Sequence, residues 1–253
     1  MASGARTDLS VILIPVGYGT ATRVKIFRDV LPWDFTSTDT VLMNMGFTQG
    51  AGSNQYQIIA SSLMGSVTLT PGTDLIIIEA DQETLFYQNY ISASATFEEF
   101  VEQGGTMFFI AALQTSTLNA VDLVLPNSVT IYQNPNNYNY TLIDDHPLMA
   151  NMGDTIRGSS ASHGSLLNLP EAALRLTIDE DDSVTLAIYG YGQGTVIVSG
   201  QPLEHMRYYR LSYPEGGSIL SRVIHYALGY DPTPEPTPRV GNLPNAIPSS
   251  SER

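Results

Sequence analysis

Two segments of this 253-residue chain constrain its fold more than any other: TDLIIIEAD (73–81) and TMFFIAA (106–112). Both are short, apolar and rich in β-branched or aromatic residues, with no alternation of polar and apolar positions. Such strands are buried on both faces, which is the signature of a parallel sheet between helical layers. FEEFVEQGG (97–105), between them, reads as a helix stopped by glycine. Alternating strands and helices of this kind imply a parallel sheet with helices on both faces.

The flanking segments extend the pattern. LSVILIPV (9–16) reads as a further buried strand, with a turn at Gly17 and Gly19. TATRVKIFRDVL (20–31) reads as a helix, because Val24, Phe27, Val30 and Leu31 fall on one face and Pro32 follows. DTVLMNMG (39–46) reads as a strand and QYQIIASSLMG (55–65) as a helix. Further on, ALRLTIDEDDSVTLAIYGYGQGTVIVSG (173–200) reads as three β-segments with turns at DEDD (179–182) and YGYGQG (189–194). These form an antiparallel extension of the main sheet. SILSRVIHYALGY (218–230) reads as an amphipathic helix. The expected fold is α/β: a three-layer, flavodoxin-like, mostly parallel sheet with an antiparallel extension. The expected organisation is an N-terminal extension (1–8), one domain (9–231) and a tail or linker (232–253), where Pro, Ser and Thr dominate and PTPEPTP favours extended geometry. There is no internal repeat.

Composition excludes several function classes. Net charge is −14, and Lys25 is the only lysine, so phosphate neutralisation of a nucleic acid is not expected. No apolar run approaches the roughly 20 residues of a membrane helix. MASGARTDLS lacks the basic and apolar regions of a secretory leader, although a processed secreted chain would read the same way. There is no cysteine, which removes disulfides, thiolate catalysis and thiolate-bound metals. A surface low in charge (14%) and rich in Tyr, Asn, Ser and Thr suits extracellular proteins and hydrogen-bonded protein contacts.

Four places could carry chemistry. GGTMFFIAALQ (104–114) ends where an α/β enzyme sets its nucleophile, yet Ala111 and Ala112 stand there. SSASHGSLLNLP (159–170) carries His163, and VIVSGQPLEHM (196–206) carries Gln201 and Glu204 after a strand. Asp81 and Gln82 stand at the end of the 74–80 strand, where open α/β sheets bind ligands. For each, an ordinary structural or solvated role is the simpler reading.

In this order the segments resemble the class I glutamine amidotransferase-like superfamily over about residues 9–230. FVEQGGTMFFIAALQ is similar to the family's helix–Gly–strand–elbow, with Ala111 or Ala112 where its cysteine stands. SSASHGSLLNLP is similar to its Ser-x-His loop and Leu-Pro segment. VSGQPLE resembles its His-Pro-Glu motif, with Gln201 for the histidine, Leu203 inserted and Glu204 kept. The resemblance implies the fold, and a glutaminase site left without nucleophile or base.

Other motifs are weaker. Gly17-Tyr18-Gly19 has Thr22 at the third site of a dinucleotide fingerprint. DEDD lacks calcium-loop spacing and suits a hairpin turn. Asp145 and His146 of DDHP (144–147), even with His163, are poorly placed for one metal. Ser162 beside His163 is not a dyad, and no G-x-S-x-G elbow exists. YQNPNNYNYTLIDD (132–145) reads as a long loop suited to binding, and Asn139-Tyr140-Thr141 is a glycosylation sequon. The resulting expectation is a non-catalytic binding or structural module without cofactor or metal. It would be extracellular or surface-attached, acting through protein–protein contacts that include self-assembly. The alternative is a hydrolase or carbohydrate-binding accessory domain using the relic cleft; a cytoplasmic location is the alternative compartment.

Overall fold

The computed structural model of the chain describes residues 21–113, 123–143 and 145–232. The 9–16 strand, the Gly17–Gly19 turn, the N-terminal extension, Gln114, Asp144 and nearly all of the tail lie outside the described residues. Among the described residues, eleven strands form one sheet. They are β1 (Arg23–Phe27), β2 (Thr48–Gln49), β3 (Gln55–Ile59), β4 (Asp74–Ile78), β5 (Thr106–Ile110), β6 (Val124–Leu125), β7 (Val129–Thr141), β8 (Thr155–Leu167), β9 (Leu174–Asp179), β10 (Val184–Tyr191) and β11 (Gly194–Ser199). The helices are α1 (Ser37–Asn44), α2 (Thr84–Ser92), α3 (Ser94–Glu102), α4 (Leu203–Tyr208) and α5 (Pro214–Ala227). The strand order is β2-β3-β1-β4-β5-β11-β10-β9-β7-β6, with β8 paired to β7. From β2 to β11 all pairings are parallel, and beyond β11 all are antiparallel. The fold is therefore the expected flavodoxin-like, mostly parallel α/β sheet with an antiparallel extension.

The apolar central strands explain the layering. Along β4, Leu75 and Ile77 pack on one face with α1, α4 and α5, while Ile76 and Ile78 pack on the other with α2 and α3. In β5, Phe108 and Ile110 join the first core, and Met107 and Phe109 the second. Burying each such side chain contributes about 1.5–3 kcal/mol, which is what holds uninterrupted apolar runs in these central strands. α5 starts at Pro214, four residues before the expected start. Gly216 and Gly217 let it lie against α4: a Cβ on Gly217 would come within 2.7 Å of the Arg210 backbone.

Three elements near the N-terminus are the reverse of the expectation. The segment read as a helix at 20–31 contains strand β1, in which Val24 and Ile26 face one layer and Phe27 the other. The strand expected at 39–46 is helix α1; Ser, Thr and Asp crowd its first turn and Gly46, at φ +88°, ends it. The helix expected at 55–65 is strand β3, paired with β1 in the register Arg23↔Gln55, followed by a short 3-10 turn at Ser61–Leu63.

The two expected loops, 132–145 and 159–170, fall largely on β7 and β8, a pair of thirteen-residue antiparallel strands. Side chains hold this polar hairpin to the sheet. Asn139 is buried; its Nδ2 donates to Ala161 O (2.8 Å) and its Oδ1 accepts from Thr185 Oγ1 (2.8 Å). A glycan on Nδ2 has no room in this fold, so the Asn139 sequon is not a surface acceptor. At the DEDD hairpin, buried Asp179 accepts from the backbone N–H of Asp181 and Ser183, from Asn134 Nδ2 and from Ser165 Oγ. That acidic turn is organised by its own strands.

Candidate functional site at the switch point of the sheet

The chain leaves β1 to one side, for β3, and returns on the other, for β4. Such a switch point opens a crevice at the carboxyl ends of the two strands. The residues after β1 and β4 meet there. Gln82 clasps the two strand ends: its Oε1 accepts from the N–H of Asp29 (2.8 Å) and Val30 (3.0 Å), and its Nε2 donates to Val30 O and Ala80 O (2.9 Å each). Asp81, in the left-handed region at φ +55°, accepts the Trp33 N–H through Oδ2 at 2.7 Å. Trp33 (φ +47°) and Asp34 (φ +63°) are themselves left-handed, so three strained non-glycine residues gather at one rim.

Beneath them lies a buried charge cluster. Arg28 forks onto Asp39 (Nη1–Oδ2 2.6 Å, Nη2–Oδ1 3.1 Å), and its Nη1 stands 3.3 Å from Glu79 Oε2. Glu204, in the first turn of α4, accepts the Ala80 N–H through Oε1 at 3.1 Å, and its backbone oxygen accepts from Ser37 Oγ at 2.6 Å. Burial pushes the Glu79 carboxyl up to about 7, only partly opposed by Arg28. Burial, and then the charge of Glu79, pushes Glu204 up to about 8.

Above the acids is an aromatic rim. The Trp33 ring lies edge-on to both His163 and His205, each 6.0 Å away between centroids. Phe35 stacks on Tyr208 at 3.7 Å and meets Tyr209 edge-on. Burial lowers the pKa of both histidines, and for His205 the neighbouring His163 lowers it further.

The candidate residues separate into two groups. Asp81, Gln82, His163 and Glu204 gather at this end of the sheet; the Asp81 charge acts on His163, His205 and Glu204 alike. His163 and Glu204 do not pair, because His163 Nδ1 faces Leu113 O at 3.4 Å and Glu204 is held by Ala80. Ala111, Ala112 and Gln201 are fully buried. Ala111 donates its N–H to Ser199 O, and Gln201 Nε2 donates to Thr177 Oγ1 at 2.8 Å. Strand β8 closes over this corner: the N–H groups of His163 and Gly164 both donate to Gly200 O (2.8 and 3.2 Å). The approach is so close that a Cβ on Gly200 would lie 1.8 Å from Gly164 O. Ser162 Oγ is buried, without a hydrogen bond to His163. His146 Nδ1 accepts from the Leu148 N–H, and among the described residues no three His, Asp or Glu side chains are placed to hold a metal ion.

Arg28, Trp33, Asp39, Glu79 and His205 were not anticipated. Glu79 alone carried a signal: a carboxylate directly after the buried run LIII (75–78) must be buried or at a strand end.

No family model matches the chain, and neither does any curated protein. Solved structures do. A cytoplasmic protein of Salmonella typhimurium LT2 is similar at 13% identity with a TM-score of 0.52, over 80% of this chain and 98% of that one. A glutamine amidotransferase of Thermotoga maritima is similar at 12% identity with a TM-score of 0.51, over 82% of this chain and 96% of that one. At these identities the likeness is one of fold, and the fold of this chain is amidotransferase-like.

Proposed function

We propose that this chain is a non-catalytic binding or structural module that works through protein–protein contacts, self-association included. The observation that carries the proposal is the state of the elbow corner. Alanines occupy it, the whole chain lacks a thiol, and β8 packs over it through Gly164 and Gly200. A glutaminase there would need a nucleophile, a base and room for a tetrahedral intermediate. Exposed Tyr132, Tyr140, Leu142 and Leu167 on and beside the β7–β8 hairpin supply contact area of the kind binding surfaces use.

An extracellular or cell-surface location rests on the low-lysine, polar composition alone; the name of the Salmonella protein favours the cytoplasmic alternative. Among the described residues no helix is long and apolar enough to cross a membrane. A second reading, a hydrolase or carbohydrate-binding accessory domain, is favoured by one observation: the half-exposed ring of Trp33, whose backbone N–H is held by Asp81.

Light scattering across a concentration series, together with an ammonia-release assay on glutamine, tests the proposal. The expected result is mass that rises with concentration and no ammonia above background. A strict monomer at every concentration sinks self-association, and glutamine turnover sinks the non-catalytic reading. Quenching of Trp33 fluorescence by an oligosaccharide would favour the second reading instead.

A further inference from the structure

The buried acids at the switch point outnumber the cation that reaches them. Asp39, Glu79 and Glu204 are all buried, and the Arg28 guanidinium is already committed to Asp39. Its contact with Glu79 is a longer ion pair, 3.3 Å against 2.6 Å for Asp39. Of the four carboxyl oxygens of Glu79 and Glu204, three have no hydrogen-bond partner: both on Glu79, and Oε2 of Glu204. The buried Thr38 hydroxyl faces Glu79. Full ionisation would leave Asp39 and Glu79 sharing one guanidinium and Glu204 with no cation of its own, all three buried, with the charges of Glu79 and Glu204 opposing each other. A proton on one of the two removes a charge and converts an orphan acceptor into a donor.

We propose that Glu79 and Glu204 hold one proton between them at neutral pH, and that losing it releases helix α4 from the end of β4, making this end of the sheet a pH-sensitive latch. Glu204 ties α4 to the Ala80 N–H, and its backbone oxygen ties α4 to Ser37 on α1. The same short helix carries His205 and Tyr208 against Trp33 and Phe35. The groups facing the pair are Arg28 after β1, Thr38 and Asp39 on α1, Asp81 after β4 and Tyr87 on α2; His205 follows Glu204 on α4, and His163 on β8 stands across Asp81. Arg28 is the one cation among them that acts on Glu79. Both carboxyls bind protons more tightly folded than unfolded. Their stabilising contribution is therefore complete below the unfolded carboxylate range and is lost as pH rises through the folded values.

Trp33 is the only tryptophan in the chain, so its emission reports on this corner. The test follows its fluorescence in the full chain from pH 5 to 10, in wild type, E79Q and E204Q. Wild type should show a step on the alkaline side of neutrality, between about 7 and 8, where Glu79 and Glu204 ionise. E204Q, a neutral mimic of the protonated acid, should hold the low-pH spectrum through that range. Any step on the acid side belongs to His163 and His205 and should disappear in the H163N/H205N double variant. Because either Gln variant could misfold, infrared difference spectroscopy of wild type between pH 6 and pH 9 gives a second readout: a protonated-carboxyl band present at pH 6 and lost at pH 9. Absence of that band at pH 6, or an alkaline Trp33 step unchanged in both E79Q and E204Q, overturns the proposal. Neither outcome bears on whether the chain is a non-catalytic module.

Discussion

Replacing Gly200 with alanine probes the closure of β8 over the elbow corner. The new Cβ would stand 1.8 Å from Gly164 O, 2.7 Å from Gly164 C and 3.3 Å from Gly164 Cα, all backbone atoms that no rotamer change can move. A carbon and a carbonyl oxygen settle at about 3.3 Å or more, so β8 must retreat by about 1.5 Å. The bonds from His163 N and Gly164 N to Gly200 O, now 2.8 and 3.2 Å, would then stretch past useful length. Two backbone hydrogen bonds at about 0.5–1.5 kcal/mol each, plus overpacking of about 1–3 kcal/mol, give a loss of roughly 4 kcal/mol. Urea unfolding followed by circular dichroism measures this; with a slope of about 3 kcal/mol per molar, the midpoint falls by over 1 M. Gly190→Ala is the matched control, because its Cβ would meet only Gly194 O at 3.9 Å. If G200A unfolds within about 0.5 kcal/mol of G190A, β8 does not press on the end of β11, and the case for a sealed corner collapses.

Arg28→Met leaves Asp39 and Glu79 buried without their guanidinium and should cost about 3–5 kcal/mol at pH 7.5. The loss should shrink toward pH 5 as Glu79 takes up a proton, which urea midpoints at the two pH values would show. Asn139→Ala strips partners from Ala161 O and Thr185 Oγ1 and should cost about 2–4 kcal/mol in the same assay. Expression of wild type in a glycosylating host should add no mass at Asn139, read by intact-mass spectrometry. Asp179→Ala removes the acceptor for two backbone and two side-chain donors; a melting temperature lower by several degrees is expected, from a loss of about 3 kcal/mol.

The sequence made the centre of the sheet legible and hid its beginning. LIII and MFFI, lacking alternation, can be buried on both faces only, and β4 and β5 are so buried. RVKIF is different. Val24, Phe27, Val30 and Leu31 satisfy a helical period, while Val24 and Ile26 satisfy that of a strand, and five residues cannot separate the two. The structure resolves it by exposing Val30 and Leu31. At α1, the start signal TSTDT outweighs the apolar VLM that suggested a strand. Strands β7 and β8 were illegible because Asn, Ser and Gly have low strand propensity. They stay in the sheet through bonds from Asn134, Asn139 and Ser165 to distant partners. At the site, Asp81, Gln82, His163 and Glu204 were legible from their positions after strands or in ordered motifs. Arg28 and Asp39 were not, since both lay in segments assigned the opposite secondary structure.

The position of β11 has a consequence for how the chain acquires its fold. β5 and β11 are parallel neighbours at the middle of the sheet, yet β6 to β10 all lie between them in sequence. During N-to-C synthesis, β3, β1, β4 and β5 can assemble while the open edge of β5, with Met107 and Phe109, still awaits its neighbour. Only after the antiparallel wing has emerged can Thr195–Ser199 dock and close that edge. Contacts of such long sequence separation form slowly, and an unpaired apolar edge invites pairing with another chain. Truncations that stop before residue 194 should therefore aggregate from the centre of the sheet, and the wing sets the pace at which the core is completed.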